Sequence, residues 1–181
     1  MDTNVKSFLV ALTSSIMLTA VVACNSSDMA PESAIALKAG KVVTFSENEA
    51  GGIKNGWWEA ESAGNWSKSD RPILILSYDD AFKNGINLII SMGAFVIEAN
   101  PKVSVLIKAN EEAVKDIEFS TEKTFQEVSL NISQDILSRG KGIVTLTFEI
   151  SGAAVPKELG WSIDERKLGI LLTQLIAKPL T

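Results

Sequence analysis

From residue 40 onward the chain is a series of short apolar runs, rich in Val, Ile, Leu and Phe, broken by polar or glycine-bearing turns. The runs are too short for helices, and their residue types suit a pleated, half-buried surface. They predict strands at residues 41–45, 73–78, 86–91, 94–98, 102–108, 114–119, 125–132, 143–150 and 168–177. Two runs show the strand period directly. Val103, Val105 and Ile107 alternate with Ser104, Leu106 and Lys108, and Val144, Leu146 and Phe148 alternate with Thr145, Thr147 and Glu149. Successive strand side chains point to opposite faces, so each run sets one apolar face on a core. Ala109-Asn110-Glu111-Glu112 predicts a hairpin turn between two such strands. Residues 133–139 predict a helical turn, with Ile136 and Leu137 apolar and with Gly140 and Gly142 marking its end. The expectation is an all-β fold: one two-sheet antiparallel β-sandwich, jelly-roll-like, formed by residues 40–181.

The N-terminal pattern is different. Residues 8–22 form a largely apolar run of about 15 residues, the length of a signal-peptide core and too short to span a bilayer comfortably. The run ends Val21-Val22-Ala23-Cys24, which resembles the bacterial lipobox. That resemblance implies a lipoprotein signal peptide at residues 1–23, cleavage before Cys24, and acyl chains, palmitate among them, on the new N-terminus. Chains of that kind, at ~0.8 kcal/mol per buried methylene, hold a domain on a membrane. Asn25, not Asp, follows the cysteine, which resembles the signal for outer-membrane rather than inner-membrane retention in a Gram-negative cell, so the expected address is the outer membrane, on its periplasmic face or at the cell surface. Residues 24–39 are expected to form the lipidated N-terminus and a flexible tether.

Composition narrows the chemistry. The 181 residues include 22 acidic and 17 basic side chains in interspersed order, for a net charge of −5. No basic block is present to neutralise phosphates, which argues against nucleic acid as a partner. Histidine is absent and cysteine occurs once, removing the commonest general base, the commonest zinc ligand and any internal disulfide. Asp79-Asp80, followed by Asn84-Gly85, has oxygen ligands of the kind a calcium loop uses, but adjacent acids in a turn are ordinarily just solvated. No metal and no cofactor are expected.

Two stretches carry a further resemblance. They are Gly56-Trp57-Trp58-Glu59-Ala60-Glu61-Ser62-Ala63-Gly64-Asn65-Trp66-Ser67 and Pro156-Lys157-Glu158-Leu159-Gly160-Trp161-Ser162-Ile163-Asp164-Glu165-Arg166-Lys167-Leu168-Gly169-Ile170. Read together, they resemble a β-sandwich domain family of unknown function found attached to bacterial membrane glycosyltransferases and phosphoglycerol transferases. The chain departs from that pattern with Ala60 before the glutamate and with no aromatic at Ala63. The resemblance implies a carbohydrate-binding-module-like sandwich at the cell envelope. Any role beside such a transferase would be performed in trans.

All four tryptophans fall in these two stretches. An aromatic face can stack on the C–H face of a sugar ring, and an indole can equally plug the end of a sandwich and donate its N–H to a loop carbonyl. Trp57, Trp58 and Trp161 are the glycan-binding candidates. Trp57 and Trp58 are neighbours, so in an extended segment one points in and the other out. Glu61, Trp66, Asp164 and Arg166 are the candidate structural cluster. Two carboxylates could work as a glycosidase pair, but Asp164 and Arg166 would share one side of an extended segment, and a bidentate guanidinium clamp on Asp164 or Glu61 is the simpler arrangement. The sequence has no nucleophile elbow and no glycine-rich phosphate loop. The expected function is therefore a non-catalytic, lipid-anchored envelope sandwich that binds glycan or a glycan-assembly partner such as a glycosyltransferase. The alternative is an assembly lipoprotein that docks another envelope protein without a sugar site.

Overall fold

A computed structural model describes residues 34–46 and 55–181. The predicted signal peptide, Cys24 and the start of the tether lie outside the described residues. The strands are β1 (Ile35–Ala36), β2 (Val42–Thr44), β3 (Asn65–Trp66), β4 (Ile73–Ser77), β5 (Gly85–Ala94), β6 (Lys102–Ala109), β7 (Glu112–Ser120), β8 (Phe125–Ser133), β9 (Ile143–Ser151) and β10 (Ile170–Pro179), with one helix, α1 (Gln134–Gly140). One sheet has the order β1-β4-β9-β6-β7, and the other β2-β10-β5-β8, with β3 also paired to β10. All pairings are antiparallel except that of β1 with β4. From β4 to β10 the chain crosses between sheets at every connection but the β6–β7 hairpin. This interleaving is that of a jelly roll, and the fold is an all-β sandwich.

The core lies where the two inner faces meet. Leu74 and Leu76, Val103, Val105 and Ile107, and Val144, Leu146 and Phe148 are buried from the first sheet; Ile86, Leu88, Ile90 and Met92, Leu130 and Ile132, and Leu172 and Leu175 face them from the second. The alternation in β6 and β9 therefore chose the inward face as expected. The 109–112 turn forms the β6–β7 hairpin, with Asn110 at φ 46° and Glu111 at φ 68°, the left-handed pair that matches strand twist. Helix α1 starts at Ser133, whose Oγ accepts from the Ile136 N–H at 3.4 Å, and it ends on a left-handed Lys141 between the two predicted glycine stops.

Three expectations need correction. Residues 94–98 are not a strand: β5 runs unbroken through Gly93 to Ala94, and a tight turn follows. Gly93 sits inside the strand where space is short: a Cβ there would lie 3.1 Å from Thr124 O and 3.2 Å from the Phe125 ring. The folded part also begins before residue 40. Ile35 and Leu37 are buried, and β1 adds a parallel edge opposite Leu76 and Ser77, so the later part of the expected tether belongs to the sandwich. Finally, β10 begins at Ile170, two residues after the predicted start. The sequence pattern also gave no sign of β3, which is only two residues long.

Strands β2 and β3 lie end to end along the same edge of β10. Val42, Val43 and Thr44 oppose Ile176, Leu175 and Gln174, and Asn65 and Trp66 then oppose Leu172 and Leu171, with a bulge between Leu172 and Gln174. The tryptophan-bearing segment before β3 is thus an excursion from an interrupted edge strand. At the same end of the sandwich, residues 152–169 connect β9 to β10.

Candidate functional site

Residues 155–167 form a loop closed at its base by Ala154 and Leu168, which exchange backbone hydrogen bonds of 3.0 and 2.9 Å. Inside it the chain makes a compact turn. The Trp161 N–H donates to Pro156 O at 3.0 Å, the Gly160 N–H donates to Lys157 O at 3.1 Å, and the Lys157 N–H donates across the loop to Asp164 O at 2.9 Å. Gly160 has φ 68°, a left-handed conformation that glycine adopts without strain, and it turns the chain outward directly before Trp161.

Asp164 is fixed in turn by Arg166. The Arg166 backbone N–H donates to Asp164 Oδ1 at 2.9 Å, its Nε lies 3.1 and 3.2 Å from the two carboxylate oxygens, and its Nη2 donates to Oδ2 at 2.8 Å. Nη1 of the same guanidinium pairs with Glu61. Glu61 is delivered by a tight turn in which it exchanges backbone hydrogen bonds with Gly64 at 2.8 and 3.0 Å. A Cβ on Gly64 would lie 2.2 Å from Leu172 O, so only glycine lets this turn approach β10. The sequence-predicted Glu61, Asp164 and Arg166 therefore meet across 105 residues of chain.

The electrostatics follow from this fork. Donation by the Arg166 guanidinium, then by its backbone N–H, holds the Asp164 carboxyl below the usual carboxylate range. The same contacts, to Asp164 first and Glu61 second, raise the already high Arg166 value further. Lys157 pairs with Glu165, and Lys167 pairs with Asp70 at 2.6 Å, tying the loop to itself and to the body.

The tryptophans divide into three kinds. Trp57 points inward, 5% exposed, with its indole N–H donating to Ile73 O at 2.8 Å and its ring edge-on to Phe148 at 5.8 Å. It is a core residue and is corrected from the glycan-binding set, because no face of it is free to stack. Trp58 takes the outward direction but is half-buried. Its indole N–H donates to Lys167 O at 2.9 Å, and Lys68 Nζ and the Arg166 guanidinium lie over its ring at 4.7 and 5.9 Å. Trp58 is thus a cation–π support for the clamp. Trp66 is half-buried on β3 and joins the cluster through its backbone, its carbonyl accepting the Trp58 backbone N–H at 2.9 Å. Trp161 alone is open, at 65% exposure.

Beside Trp161 lies a cleft of about 330 Å³ lined by Ile97, Glu98, Ala99, Leu159, Gly160 and Trp161. Its second wall is the turn after β5. Ile97 and Asn100 exchange backbone hydrogen bonds of 3.0 and 2.9 Å, and the Asn100 side-chain amide donates to Phe95 O at 2.8 Å and Gly152 O at 3.0 Å. Sequence reasoning missed this wall by taking residues 94–98 for a strand. The signal was Asn100-Pro101, a pair that marks turns. It also passed over Ile163, which is 93% exposed near Trp161.

Among the described residues no cluster of potential ligands suits a metal ion. Asp79 caps a short 3-10 turn, its Oδ1 accepting the Ala81 N–H at 3.0 Å. Buried Ser67, which the sequence did not single out, joins the excursion to β10: its N–H donates to Ile170 O at 2.8 Å and its Oγ accepts the Ile170 N–H at 2.9 Å.

Neither a protein-family model nor a curated protein sequence matches the chain. Among solved structures it is similar to the carbohydrate-binding module CBM36 in complex with calcium and xylotriose, with a TM-score of 0.43 and 14% identity over 76% of this chain and 99% of that one. It is also similar to CBM51 from Clostridium perfringens GH95 in complex with methyl-galactose, with a TM-score of 0.32 and 14% identity over 77% of this chain and 90% of that one. A third likeness is to the insecticidal delta-endotoxin Cry8Ea1 from Bacillus thuringiensis, with a TM-score of 0.39 and 7% identity over 61% of this chain and only 18% of the toxin. These likenesses concern the β-sandwich fold alone.

Proposed function

We propose that this chain is a non-catalytic glycan-binding sandwich of the cell envelope, held to the membrane by lipid on Cys24, with Trp161 as its stacking platform. The observation that carries the proposal is a 65% exposed indole on a loop pinned by backbone hydrogen bonds and an arginine clamp, beside a cleft. A large apolar ring held out in water is unfavourable without a partner, and holding it in place in advance lowers the ordering cost of binding one. The carboxylates favour a binding role over catalysis. Glu61 and Asp164 both serve Arg166, and Asp164 is driven away from the range a general acid needs. Lipidation rests on the Val21-Val22-Ala23-Cys24 run.

Calorimetric titration with neutral envelope oligosaccharides tests the glycan site. Binding that Trp161→Ala weakens at least tenfold is expected, and no heat with any glycan rules the site out. Intact mass of the membrane-extracted protein tests the anchor. The expected species starts at Cys24 and carries acyl mass; a free thiol there excludes it.

A protein partner is the second reading, and the exposure of Ile163 favours it, since an aliphatic side chain adds nothing to sugar stacking. Under that reading Ile163→Asp abolishes crosslinking to the partner in membranes, whereas under the glycan reading it leaves oligosaccharide affinity unchanged.

A further inference from the structure

The glycan reading, on which this inference rests, leaves the class of sugar open, and the charges around the cleft narrow it. Its six lining residues carry one charge, the Glu98 carboxylate, against four apolar side chains and a glycine. Among the described residues of the two site-building stretches, Lys157 pairs with Glu165, Lys167 with Asp70, and Arg166 with Asp164 and Glu61, and Lys68 lies over Trp58. A carboxylated or phosphorylated sugar would meet Glu98 with no cation among the lining residues to balance it, and like charges at short range are repulsive. A protonated amine would instead meet a carboxylate held in a turn that Asn100 fixes at two carbonyls.

We propose that the cleft selects an amino sugar, stacking the pyranose ring on Trp161 and pairing its ammonium with Glu98. The two groups belong to separate loops, each closed by its own hydrogen bonds, so the backbone positions that carry them are set before a ligand arrives. Ala99 and Gly160, also in the lining, add little side-chain bulk to the cleft. Neutral sugars keep the stacking and lose the ion pair; acidic sugars keep the stacking against a repulsion.

The test is calorimetry on the folded protein with three oligomers of equal length: glucosamine, N-acetylglucosamine and galacturonate. The expected result at low salt is about tenfold tighter binding of the glucosamine oligomer than of its N-acetylated form, with galacturonate weakest and the gap narrowing as salt is added. Glu98→Gln should abolish the preference of the glucosamine oligomer over its N-acetylated form. Trp161→Ala should remove binding of both. Equal affinities for the three oligomers, a preference that persists in Glu98→Gln, or tighter binding of galacturonate would overturn the amino-sugar assignment while leaving glycan binding in place. Glucosamine binding that survives Trp161→Ala is non-specific attraction to an acidic protein and also overturns it. Failure of every oligomer, the neutral one included, removes the glycan reading itself.

Discussion

Arg166 determines the shape of the site although it does not line the cleft beside Trp161. Its fork satisfies Asp164, whose carbonyl closes the loop that carries Trp161, and it reaches Glu61 on the excursion that carries Trp58. Removing it leaves two carboxylates facing each other with no cation between them. Because the three side chains keep partial contact with water, the expected cost of Arg166→Ala is about 1–3 kcal/mol, a Tm lower by several degrees in a thermal melt. Arg166→Lys should recover only part of this, since an ammonium cannot match a carboxylate in two places. The cluster also sets an acid limit. Asp164 titrates lower in the folded state than in the unfolded chain, so its contribution is fully present above the unfolded carboxylate value of about 3.9 and is lost as pH falls below it through the depressed folded value. Melting curves between about pH 5 and pH 2 should therefore fall more steeply for the native protein than for Arg166→Ala. The tryptophans offer a second contrast at this scale. Trp57→Ala opens a cavity against Phe148 and orphans Ile73 O, and it should cost about 3–5 kcal/mol. Trp161→Ala should leave the melt within about 0.5 kcal/mol. The sequence placed Glu61, Asp164 and Arg166 together because their charges are complementary. It could not tell Trp57 from Trp161, because exposure depends on which neighbours fold over a ring and not on the residue itself.

At the scale of elements, the β6–β7 hairpin and helix α1 are joined by one side chain. Asn110 adopts a positive φ in the turn, donates from its amide nitrogen to Ile136 O at 2.9 Å, and accepts the Thr145 N–H on its Oδ1 at 2.9 Å. Two contributions can therefore be separated. Asn110→Gly keeps the backbone conformation and loses the side-chain bonds, whereas Asn110→Ala loses both and adds left-handed strain of about 1 kcal/mol. Chemical denaturation should rank stability as native, then Asn110→Gly, then Asn110→Ala; equal losses in the two variants would show that the turn conformation contributes nothing. The longer strands were legible because a period of two is imposed wherever one face is buried, as in β6 and β9. The end of β5 was not, because Gly93 reads locally as a break, and its place in a strand is explained by Thr124 O and the Phe125 ring, which come close to it only in the fold. Strands β1 and β3, two residues each, are too short to show any period.

For the whole molecule, the fold class could be read from the rhythm of apolar runs, whereas the site depends on the meeting of segments far apart in sequence. Trp161 and Glu98 become neighbours only because β5 and β10 are paired, with Ala94 opposite Ile170. No local pattern records that pairing. The interrupted edge of β10 also bears on how copies of the chain meet. A long free edge invites strand addition from another molecule, and proteins blunt such edges by shortening or covering them. Here the edge beside β10 is filled by pieces of three and two residues, with a bulge at the break. The excursion that leaves at this break carries half of the arginine clamp. The segment that builds the site therefore also denies another copy a continuous template on that side, leaving nine-residue β7 and β8, studded with Lys115, Asp116, Glu118 and Glu127, as the long edges.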